Sequence, residues 1–120
     1  MGLKAHVGFS IPQTSDVQLK IISHFSGLGY RLVEQRPAKW VFQRGSKLAS
    51  LFRFDIRAYA ATLAVETGLG QNDETWVSCD WEVWSLMAVA TGADVATLEA
   101  EGRQLESVLR RQAGEDGVKR

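Results

Sequence analysis

The chain has 120 residues, 45% of them hydrophobic and 23% charged, and its 14 basic and 14 acidic residues cancel. That length and balance suit one globular domain with its own core and exclude an intrinsically disordered chain. A single cysteine, Cys79, excludes an internal disulfide and a cysteine-rich zinc site. No apolar run reaches the roughly 18 residues that a membrane-spanning helix needs, and no basic, apolar leader opens the chain. A soluble, cytoplasmic protein is the expectation.

The first predicted element is a strand over Lys4 to Ile11, where Ala5, Val7, Phe9 and Ile11 share one phase and His6, Gly8 and Ser10 the other. Pro12 ends it, because proline cannot donate to a ladder. Ser15-Asp16-Val17-Gln18 matches a capping box, and Val17, Ile21, Ile22, Phe25 and Leu28 follow at helical spacing. A helix from Asp16 to Leu28 is predicted, stopped by Gly27 and Gly29.

Tyr30 to Arg36 and Lys39 to Arg44 bracket Pro37-Ala38 and read as a hairpin, with Trp40 and Phe42 feeding the core. In the next block Phe52, Phe54 and Ile56 share one phase, while Tyr59, Ala61, Leu63 and Val65 share the other. One flat strand cannot bury both sets, so a register break is expected, with residues 47–56 as a loop or edge segment. The main strand then runs from Tyr59 to Thr67. Gly68 to Asp73 makes a turn, and Thr75 to Ser85 returns with Val77, Cys79, Trp81 and Val83 on the dry phase. A closing helix begins near Thr91 to Asp94, buries Val95, Leu98, Leu105, Val108 and Leu109, and ends at Gly114. Residues 1–114 thus form one domain, with 115–120 a flexible tail.

The order strand, helix, four strands, helix predicts an α+β fold. A curved antiparallel sheet of four or five strands carries both helices on one face. This topology resembles a helix-grip arrangement, in which the sheet wraps a long C-terminal helix. The resemblance is one of architecture and implies no site residues.

Chemistry is sparse. The two histidines, His6 and His24, lie far apart and make no metal-ligand spacing, so no metal or other cofactor is expected. No nucleophile-elbow pattern sets Cys79 or a serine beside a base, and Gly68-Leu69-Gly70 lacks the third glycine and lysine of a phosphate cradle. Asp80 and Glu82 share the wet face of a strand, where a solvated pair is the simpler reading than an acid–base pair. An enzyme is not expected.

Charge order is less generic. Basic residues crowd between Arg31 and Arg57, and none occurs from Ala58 to Gly102, where Glu66, Asp73, Glu74, Asp80, Glu82, Asp94, Glu99 and Glu101 lie. Ion pairs between neighbouring strands account for this most simply. Arg44, Lys47, Arg53 and Arg57 are candidate anion contacts, and with Phe52 and Phe54 they suit an anionic membrane surface better than a nucleic acid. Trp76 and Trp84 fall on the wet phase and, with Phe52 and Phe54, make a candidate interaction surface. The leading expectation is therefore a self-associating protein-interaction module, a homodimer for example. A carrier of a small apolar ligand or lipid, with Tyr59, Trp81 and Val83 lining a cleft, is the alternative.

Overall fold

Period-two alternation in the first strand becomes a dry face and a wet face in the computed structural model, which describes residues 2–13, 16–45, 60–84 and 92–118. Strand β1 (Gly2–Pro12) buries Ala5, Val7 and Ile11 and turns Lys4, His6, Gly8 and Ser10 to solvent. Helix α1 (Val17–Gly27) follows, burying Ile21 and Phe25 one turn apart. The capping box expected at its start rests on Ser15. Ser15 lies outside the described residues, and Asp16 takes a left-handed backbone (φ 58°) with no side-chain cap. The Asp16 carbonyl serves the first turn, accepting from the Lys20 N–H at 3.0 Å.

The far end of α1 closes as the glycines predict. Gly29, at φ +94°, donates to the Ser26 carbonyl, and Tyr30 donates to the Phe25 carbonyl at 3.0 Å. The Tyr30 ring then meets the Phe25 ring edge-on, centroids 5.5 Å apart. This turn aims the tyrosine into the core just before β2 begins.

Strands β2 (Arg31–Arg36) and β3 (Lys39–Arg44) form the predicted hairpin, with a register shift between Leu32 and Glu34. Strand β4 (Ala60–Leu69) and strand β5 (Glu74–Trp84) are joined by a 3-10 turn at Gln71–Asp73. Helix α2 (Gly92–Val118) closes the order. It runs through Gly114 rather than ending there, since a helical glycine costs about 1 kcal/mol against alanine and forbids nothing. The Lys47 to Ile56 segment lies outside the described residues.

The five strands lie in the order β1-β5-β4-β3-β2, all antiparallel, in an α+β fold with the expected helix-grip-like order and a sheet that is only loosely curved. One face holds Phe42, Leu63, Val65, Val77, Cys79 and Trp81, all essentially dry, together with Leu98, Leu105 and Leu109 from α2. Helix and sheet approach closely at Gly102. A Cβ there would stand 2.8 Å from Trp81 Cη2 and 3.0 Å from Val7, so only glycine lets the helix lie this close. No helix among the described residues is long and apolar enough to cross a membrane.

Candidate functional site

The opposite face of the sheet carries no helix contact among the described residues. Across it, Lys4, Glu82 and Thr62 form one row, His6, Asp80 and Ala64 the next, and Ser10, Trp76 and Gly68 a third. A depression of about 440 Å³ lies over the first two rows. His6 Nδ1 sits 2.7 Å from Asp80 Oδ1, and Ser78 donates to the other oxygen of that carboxylate at 3.2 Å. Lys39 and Glu66 pair across β3 and β4 at 3.5 Å, one of the ion pairs expected from the charge order.

Trp76 is on this wet face as its phase requires, and is 37% exposed. Its partner across the ladder is Gly68, and a Cβ on that glycine would fall 2.4 Å from the indole. The ring therefore lies flat over the glycine backbone, a cross-strand cover that accounts for the part of its surface already hidden. The neighbouring Leu69 is 79% exposed. Trp84 ends β5 on the same phase, but its side chain lies outside the described residues, as do Phe52 and Phe54.

The candidate cleft residues Trp81 and Val83 are in the packed core, at 1% and 0% exposure, with Gly102 pressed against the Trp81 ring. Tyr59 lies outside the described residues, as do the candidate anion contacts Lys47, Arg53 and Arg57.

Arg44, one of the candidate anion contacts, faces the core at the end of β3. It shares the inward phase of Trp40 and Phe42 and is 6% exposed. Its Nη1 donates to Glu101 Oε2 at 2.9 Å and to the Leu28 carbonyl at 3.2 Å, and its guanidinium carbon stands 4.1 Å above the centre of the Tyr30 ring. The Tyr30 hydroxyl donates to Glu101 Oε1 at 2.7 Å and accepts from Trp81 Nε1 at 3.0 Å. His24 Nε2 donates to the Glu101 carbonyl at 3.0 Å. The Glu101 carboxylate and backbone carbonyl, with the Tyr30 hydroxyl, thus tie α1, the α1–β2 turn, β3, β5 and α2 together. Arg44 Nε and Nη2 and Trp40 Nε1 are buried without a partner among the described residues.

Burial first, and then the Glu101 charge, hold the Tyr30 hydroxyl well above the usual tyrosine range, with Arg44 pulling the other way. Tyr30 is therefore a fixed neutral donor. Burial also pushes the Cys79 thiol up to about 12, with Asp80 adding to the effect, so at neutral pH it is a dry thiol and not a nucleophile. Beside the cluster lies a cavity of about 430 Å³, bordered by Gly27, Leu28, Thr97 and Gln104. The Arg44 and Glu101 groups on its floor face each other, which leaves them poorly placed to take a charged ligand.

Sequence reasoning missed Glu101, Tyr30 and Gly102 as a unit, although a signal existed. Glu101 follows Leu98 by three and precedes Leu105 by four, which places a carboxylate in the apolar stripe. The fold and these two sites define an open-sheet α+β domain with a polar lock under its long helix. Compared with known protein families and with curated proteins, the chain finds no match.

Proposed function

We propose that this chain is a non-enzymatic protein-interaction module that associates with itself. The observation that supports it best is the one-sided covering of the sheet. Both helices pack on one face, while among the described residues the other face, with Trp76, and the edge of the long boundary strand away from the Arg110–Ser10 contact stand without cover. The Glu101 carboxylate is already engaged by Arg44 Nη1 and the Tyr30 hydroxyl. The carrier reading would need space beneath α2 where Gly102 already touches Trp81 and Val7.

Equilibrium sedimentation from low to high micromolar protein tests the proposal. Reversible growth of the average mass towards twice the 13.3 kDa chain is expected. A single monomeric mass across that range would remove self-association.

A further inference from the structure

The two boundary strands of the sheet are treated differently. Strand β2 has six residues, a register shift between Leu32 and Glu34, and the charges Arg31, Glu34 and Arg36. Those are the devices that keep a free edge from pairing with another chain. Strand β1 has almost none of them. Its 11 residues keep unbroken register with β5 from Gly2↔Trp84 to Pro12↔Glu74, its one proline is terminal, and Lys4 is its one formal charge.

The direction of its free backbone groups can be read from Arg110. That guanidinium donates from α2 to the Ser10 carbonyl at 2.9 Å in an exposed contact, so this carbonyl is directed away from β5. The N–H and C=O of one strand residue point the same way and alternate along the strand. Lys4, His6 and Gly8 therefore present both groups at an edge without a further strand among the described residues, while Ala5, Val7 and Phe9 bond to β5. Gly8 is exposed, and having no side chain it exposes backbone.

We propose that β1 pairs antiparallel with β1 of a second copy across a two-fold axis at His6, joining two five-stranded sheets into one. This rests on the self-association proposed above and gives it a geometry. A two-fold at His6 uses the open row, leaves Pro12 outside the pairing, and sets Lys4 opposite Gly8 of the other copy. Each His6 ring is already held by its own Asp80. On the dry side Ala5 meets Val7 of the other copy, continuing the apolar face. Lys4, and Arg110 at Ser10, stand along this contact, against three charges within the six residues of β2.

Two variants of the full chain test it. In Gly8→Pro the ring removes an N–H aimed at the second copy and no bond to β5. Dimerisation should weaken about tenfold or more in sedimentation, because the symmetry removes two hydrogen bonds at once. Circular dichroism and thermal melting verify that the variant is folded. His6→Cys should form a disulfide-linked dimer under mild oxidation. Opposed residues of a hydrogen-bonded pair have Cα atoms about 5.5 Å apart, within disulfide reach, and Cys79 is too buried to compete. A wild type that dimerises while His6→Cys fails to cross-link, or a folded Gly8→Pro that dimerises as wild type does, overturns the β1 pairing and leaves self-association standing. A monomeric wild type together with no cross-link overturns both. Should Gly8→Pro not fold, the cross-link decides alone.

Discussion

Arg44 and Glu101 hold formal charges at 6% and 7% side-chain exposure, where losing either partner strands the other. Breaking such a pair from one side costs about 3–5 kcal/mol, whereas replacing both by apolar groups of similar volume is often neutral or stabilising. Glu101→Leu is therefore expected to destabilise by about 3–5 kcal/mol in urea denaturation, since it also takes the acceptor from Tyr30. Arg44→Met with Glu101→Leu should recover most of that loss. A double variant as unstable as the sum of the two single ones would show that the pair is not a coupled unit. Both residues sat on apolar phases of the sequence, Arg44 in step with Trp40 and Phe42, and Glu101 between Leu98 and Leu105. What one dimension withheld was that these two misfits answer each other across 57 positions. Read separately, the arginine looked like an anion contact and the glutamate like one more acid in the acidic stretch of the chain.

At the scale of elements, period and turn chemistry were legible wherever a local rule decides. The Gly29 helix end, the Pro37 hairpin and the inward phases of β1, β4 and β5 all formed as the spacing implies. Rules that weigh one residue against a whole helix carried less, as the passage of α2 through Gly114 shows. The cover of Gly68 by Trp76 was hidden because it depends on hairpin register, which a turn of unknown length does not settle. Gly102 makes the opposite point, that a glycine inside a helix can be there for packing. Alanine at that position gains about 1 kcal/mol of helix propensity. Its Cβ, however, would meet Trp81 at 2.8 Å and Val7 at 3.0 Å, and overpacking of a filled core costs about 1–3 kcal/mol. Gly102→Ala is thus expected to lower the denaturation midpoint despite the better propensity. A raised midpoint would mean that the helix can lift from the sheet without loss.

For the whole molecule, the two strongly displaced acids make a statement about alkaline stability. Cys79, ordinarily at 9.0, is pushed up to about 12 by burial and then by Asp80. Tyr30, ordinarily at 10.0, is raised by burial and then by Glu101. Both groups keep their protons in the folded chain at a pH where the unfolded chain has lost them. Proton release then favours unfolding, so their contribution is fully present below pH 9.0 and falls away as the pH climbs towards 12. The slope is at most about 1.4 kcal/mol per pH unit for each group. Urea midpoints taken between neutral and strongly alkaline pH should hold steady up to the thiol's ordinary value and then decline. Cys79→Ala should postpone the decline to the ordinary tyrosine range, and Tyr30→Phe should flatten its later part, whatever each substitution does to absolute stability. A wild-type midpoint that stays level well beyond pH 10.0 would mean that both groups reach solvent in the folded chain. It would also mean that the dry floor shared by Cys79, Trp81 and Tyr30 is not closed, and the packing of α2 over it would fall with that.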